Sequence, residues 1–365
     1  MPLPATPQAY RAGQHRLALA LASGTFLLIV FGALVTSNKA GLAVPDWPTS
    51  FGSLYKLPPM VAGIKYEHGH RMWAEFMGLL TVLLALRILI VSKLGRVAAL
   101  AVSAVVCILA VMVFAVRGPI AIAILFGAAA LACIAFIARA YHPSWTTQVK
   151  LSLAALATVL LQGALGGITV LNFLPWAVST AHAAVGQTFL SITVLMALFT
   201  SRTWIESEPA AYVDRLTPST RLLSVLAIVA VYIQLVLGAA FRHSGMKLLP
   251  HLISAVFVTI VLLWTGFRAI ATPPLRRLGT LLVSGLVVQL TLGFAAYLTR
   301  VRWGADAVQP EMSMILSTVS HVATGAFLLA ICFLLSVQAS KHLLKPATVE
   351  STKHAKSQQG EAVVA

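Results

Sequence analysis

Ten stretches of about twenty residues, nearly free of charge, recur along the whole chain: 17–35, 72–91, 97–116, 119–138, 151–171, 182–200, 222–241, 248–267, 278–299 and 314–337. Twenty apolar residues are what a helix needs to cross a hydrocarbon layer. Backbone polar groups in such a layer must be satisfied within the segment or in a closed barrel. A barrel would show alternating segments of about ten residues, and none is visible. Only 10% of the chain is charged, where soluble domains carry about 25%. The expected fold class is an all-α polytopic membrane protein with about ten transmembrane helices, built as two pseudo-symmetric four-helix bundles plus an extra hairpin.

The formal charge of +16 would suggest nucleic acid in a soluble protein. In a membrane protein the same cations report orientation. Sorted onto alternate sides of the ten spans, 17 Lys and Arg fall on the side of the N-terminus and 9 on the other. The sequence therefore predicts a multi-pass protein of the cell membrane with both termini cytoplasmic and no nucleic-acid partner. The first apolar run is too long for a typical cleaved leader and reads as a span. The expected divisions are a cytoplasmic tail over 1–16, an N-terminal helical half over 17–200, a cytoplasmic linker over 201–221, a C-terminal helical half over 222–337, and a disordered cytoplasmic tail over 338–365. Cys107, Cys133 and Cys332 lie in apolar runs without metal-type spacing and read as small apolar residues.

Within this frame a unit repeats four times. Outward-running spans end in similar phrases: Phe31-Gly32-Ala33-Leu34, Gln162-Gly163-Ala164-Leu165-Gly166-Gly167, Gln234-Leu235-Val236-Leu237-Gly238-Ala239 and Gln289-Leu290-Thr291-Leu292-Gly293. Each is followed by an inward span with a histidine near its outer end: His70, His182, His251 and His321. Small residues let helix backbones approach closely. The hairpin 97–138 carries no such histidine and reads as an insertion in the first half.

One histidine at a span end is commonly structural, but four at matching stations suit two imidazole pairs clasping metal between helices. Zinc favours cysteine or clustered carboxylates, which these ends lack apart from Glu67 and Glu75. The metal reading is thus two haem sites, or one resident haem and one haem-like substrate. Glu67 and His70 share a helix face if that helix begins near Ile64; the cluster Tyr66–Arg71 otherwise serves as an interfacial cap. His68 and His243 are candidates for a second shell or for carboxylate contacts. Arg71, Arg242, Lys247, Arg300 and Arg302 either pair with propionates or snorkel to the interface. The outer loop 38–66, stiffened by Pro45 and Pro48, either lids a site or caps the bundle.

Asn38-Lys-Ala-Gly-Leu-Ala-Val-Pro-Asp-Trp-Pro-Thr-Ser-Phe-Gly52 with Tyr-Glu-His-Gly-His-Arg71 resembles the first outer loop and second helix of the haem A synthase family. Leu161–Val170 with Ser179–Ala184, Leu237–His243 with Pro250-His251, and Ser320-His321 are similar to the family's other hairpins. The likeness covers about 25–91 and 150–335. It implies an oxidoreductase that converts the ring methyl of haem O to the formyl of haem A for a terminal oxidase, in two hydroxylation-like steps. It further implies that His70 and His182 flank the substrate haem, with Glu67 catalytic beside the reacting group. His251 and His321 would ligate the iron of a resident haem b. Haem O synthase, oxidase assembly factors and an electron acceptor are the implied partners. Ten spans where the family has eight, and the lack of a cysteine pair in an outer loop, are departures from the pattern.

Overall fold

The computed structural model describes residues 9–53, 57–208, 212–304 and 309–344. It is all-α, with ten helices among the described residues long and apolar enough to cross a membrane. These are α1 Ala12–Ser37, α2 Ala62–Val91, α3 Gly95–Arg117, α4 Ile120–Ala140, α5 Thr147–Leu171, α6 Trp176–Thr200, α8 Thr220–Arg242, α9 Leu249–Ala271, α10 Arg276–Ala296 and α11 Met312–His342; a short α7 spans Arg202–Glu206. The helices are broadly apolar around their circumference, as expected where lipid replaces water. Large exposed side chains such as Leu125, Leu131, Phe257 and Phe267 sit on outer faces.

Packing divides the spans into two rings of four. In one, α1 meets α2, α2 meets α5, α5 meets α6 and α6 returns to α1. In the other, α8, α9, α10 and α11 close in the same cyclic order. The rings join where α11 packs on α1 and α6, and where α6 packs on α8. The extra hairpin α3–α4 touches the first ring from outside, through α2 and α5. Each ring has its own apolar core, one around Met77, Leu84, Phe189 and Met196, the other around Leu262, Leu282, Leu329 and Cys332. All three cysteines are free, with Cys332 buried.

Helix ends depart from the hydropathy pattern where polar side chains find partners. α2 begins ten residues before the apolar run at 72, because the Glu67–Arg71 pair and loop carbonyls satisfy its polar head. The N-terminal tail yields to α1 at Ala12, where Gln14 donates to Gln148 at 2.9 Å and His15 contacts Thr200. The expected tail from 338 is likewise helical to His342. Lys341 donates to the Trp204 carbonyl at 2.6 Å and lies over its ring. Leu343–Leu344 then pairs in parallel with Tyr212–Val213, clamping the linker to the end of α11. The expected disorder beyond 344 lies outside the described residues.

Candidate functional site

An early start for α2 places Glu67 and His70 on consecutive turns of one helix at the end shared by the outer loop. Glu67 is only 3% exposed. Its Oε2 accepts from the Val44 N–H at 2.9 Å and its Oε1 from Arg71 at 2.5 Å. Arg71 also donates to the carbonyls of Val44 (2.8 Å), Asp46 (2.7 Å) and Thr49 (3.3 Å). A buried carboxylate is tolerated when a geometrically matched cation and further donors surround it. Here the same groups bind the loop to the helix. Arg71 and His68, whose Nδ1 meets Ser50 Oγ at 3.0 Å, both serve this attachment.

The loop is also tied internally. Asp46 accepts from Thr49 Oγ1, the Phe51 N–H (2.7 Å) and the Gly52 N–H (2.8 Å). Burial works against its charge, but hydrogen bonds from Thr49, Gly52 and Phe51 outweigh it and hold the carboxyl below its ordinary range. Trp47 lies flat over Gly167 on α5, where a Cβ would come within 2.5 Å of its ring. The loop therefore covers the mouth of the first ring from α2 across to α5.

The four histidines occupy one station in the repeat. A Cβ at Gly32 or Gly166 would come 3.2 Å from Cε1 of His70 or His182. At Gly238 and Gly293 the distances to His251 and His321 are 2.8 and 2.9 Å. Each imidazole thus lies against a glycine of the preceding outward helix, and Gly166, not Gly163, is the equivalent of Gly32. Three of the outward helices also carry a glutamine one turn earlier. Its amide nitrogen approaches the histidine Nε2: Gln162 to His182 at 3.3 Å, Gln234 to His251 at 3.3 Å and Gln289 to His321 at 3.4 Å. These glutamines stood in the repeated phrases, but hydropathy gave no sign that they face the imidazoles. The Gln-x-x-x-Gly spacing was the available signal.

In the second ring His251 and His321 face one another, ring centroids 6.4 Å apart and planes at 81°. Nδ1 of each lies 3.2 Å from the backbone carbonyl of Gln234 or Gln289. A carbonyl can only accept, so Nδ1 carries the proton and Nε2 keeps its lone pair, the tautomer a metal requires. Two imidazoles sharing one metal at about 2.0 Å have centroids roughly 6 Å apart, so the observed spacing fits one iron between them. Among the described residues no three His, Cys, Asp or Glu side chains converge on a single point. The facing imidazoles of His251 and His321 could serve as two donors to a metal whose remaining ligands it brings with it.

Between the rings runs a cationic seam. Arg242, at the end of α8, donates to Ala33 O (2.9 Å) and Ser37 Oγ (2.7 Å) of α1. Arg300, in the π-helical turn Tyr297–Arg302 after α10, donates to Arg242 O at 3.3 Å and lies over Phe241. His243 caps α8 beside them. Burial first, then the charges of Arg242, His182 and Arg300, bring its pKa down to about 4. Arg242 and Arg300 thus tie the end of the second ring to α1 of the first, whereas His68 and Arg71 hold the outer loop.

Comparison of the chain with models of known protein families finds no match, and comparison with curated proteins finds none.

Proposed function

We propose that this membrane protein is a haem A synthase, oxidising the ring methyl of haem O to a formyl group. The observation that carries the reading is an asymmetry between equivalent sites. Two rings present the same glycine-backed histidines, yet among the described residues only the first has a buried carboxylate at that end, Glu67 of α2, which ties the outer loop to the helix. One site built for retention and one for chemistry is what a reaction on a tetrapyrrole needs.

In this reading His251 and His321 hold haem b, which when bound supplies a one-electron redox centre near the reacting site. His70 and His182 would hold haem O, with Glu67 on the same helix as His70. The lid formed by Val44–Gly52 excludes water and strengthens electrostatic interactions beneath it. Glu67, with both oxygens engaged, acts there as fixed negative charge that favours positive charge developing at the substrate methyl. The seam at Arg242 and Arg300 offers donors to carboxylates of either tetrapyrrole. We also infer, from the distribution of Lys and Arg, that the histidine end faces away from the cytoplasm in the cell membrane. Haem O synthase would then supply the substrate, and oxidase assembly factors would receive the product.

One observation favours a second reading. Because both Glu67 oxygens serve the loop, the carboxylate is explained without chemistry, and the chain would then be a bis-histidine cytochrome that only transfers electrons. Extracting haems from cells with and without the gene separates the two. Loss of haem A with accumulation of haem O supports the synthase; an unchanged haem composition contradicts it.

A further inference from the structure

The four histidine stations are not held alike. His251 and His321 are each fixed twice by one glutamine, whose backbone carbonyl takes the Nδ1 proton while its side-chain amide meets Nε2. His182 keeps the amide contact from Gln162, but its Nδ1 has no hydrogen-bond partner among the described residues. At His70 the corresponding residue, one turn before Gly32, is Leu28, which packs into the apolar core of the first ring. His70 Nδ1 has no hydrogen-bond partner among the described residues.

At three stations a half-buried glutamine, Gln162, Gln234 or Gln289, keeps a buried Oε1 without a hydrogen bond among the described residues; Gln187, away from the stations, does the same. A buried orphan carbonyl is costly, and its threefold recurrence asks for a cause. Room is made for two of these amides on the histidine helix: a Cβ at Gly186 would come 3.0 Å from Gln162 Nε2 and one at Gly325 3.2 Å from Gln289 Nε2, each one turn after its histidine. The amide thus belongs to the station. It holds the imidazole with its lone pair directed and gives way to a metal, so that a ligand finds the ring already oriented.

We propose that Gln162, Gln234 and Gln289 are ligand-positioning residues, and that His70, where Leu28 replaces the glutamine, is the imidazole that releases the exchanging tetrapyrrole. The inference rests on the haem reading above and extends it. It ranks the ligands from the doubly held His251 and His321, through His182, to the unheld His70. A substrate must enter and leave while a resident group stays, and a single substitution in the repeat separates these two behaviours.

The full chain in detergent, loaded with ferric haem b at both sites, tests this by transfer of haem to excess apomyoglobin, followed optically. Two phases are expected. Leu28→Gln should slow the fast phase by about tenfold, the kinetic equivalent of one hydrogen bond. Gln289→Leu should quicken the slow phase by a similar factor and weaken its low-spin signal in electron paramagnetic resonance. Leucine already fills this station in the first repeat, so Gln162→Leu serves as a second variant should Leu28→Gln not fold; it should quicken the fast phase alone. Haem uptake with phase rates indifferent to these substitutions overturns the positioning role while leaving the haem reading intact. Absence of haem uptake by the parent chain overturns both.

Discussion

Arg71→Met is the perturbation whose consequence follows most directly from the structure. The guanidinium donates to three loop carbonyls and to Glu67, and methionine keeps the stem while removing every donor. Glu67, 3% exposed, would keep the Val44 N–H but lose its cation. Removing one partner of a buried ion pair costs about 3–5 kcal/mol, because the other charge stays desolvated. If that cost is relieved by opening the loop, the Val44, Phe51 and Gly52 amides should exchange at least about a hundredfold faster, at tenfold per 1.4 kcal/mol. Hydrogen–deuterium exchange of the detergent-solubilised chain, read by mass spectrometry over 40–53, measures this. Adding Glu67→Gln should restore part of the protection, about 1–3 kcal/mol of coupling in a double-mutant cycle. The assignment of this pair as the loop's anchor is refuted if Arg71→Met changes exchange by less than threefold, or if the double variant is no better protected.

Four other outcomes follow from the same contacts. Asp46 has its folded pKa below the ordinary 3.8, so its contribution to loop order is present above that value and lost as pH falls through the lower, folded value; proteolysis of the loop should rise only in strong acid, and Asp46→Asn should show the nicked pattern already at neutral pH. His243, lowered from 6.5 to about 4, binds its proton more readily unfolded, so it contributes to a decline in stability as pH falls from about 6.5 to 4; thermal unfolding of His243→Asn should show a shallower decline over that range. Gly279→Ala would place a Cβ 2.6 Å from Ile270 N and 2.7 Å from Gly266 O, backbone atoms that cannot turn aside, and should cost about 1–3 kcal/mol in detergent unfolding titrations. Replacing 95–140 by a short Gly/Ser linker should leave a folded, monodisperse protein by size-exclusion chromatography, since α2 and α5 already lie side by side.

The number of spans, their pairing into hairpins and the peripheral hairpin were legible in the sequence because hydropathy depends only on the solvent around a helix. The histidine stations were legible because the unit repeats four times. Helix ends were less so. Nothing in Tyr66–Arg71 announces that Arg71 will find the carbonyls of Val44 and Asp46 more than twenty residues earlier, and this long-range pairing lets α2 begin at Ala62. For the same reason the loop's hold on Arg71 and His68 could not be foreseen, and the sequence offered them a ligand or the interface instead. The glutamines were visible but mute: whether Gln234 faces lipid or His251 depends on helix rotation, which only the packed ring sets.

Formation of the formyl group is the most direct test of the central claim. In a host that makes haem O but no haem A, expression of this chain should cause formyl-bearing haem to appear in membrane extracts separated by chromatography and identified by mass, and His70→Ala or His182→Ala should abolish it. Recovery of haem O and haem b alone, from cells in which the intact chain is present and loaded with haem, would contradict the account.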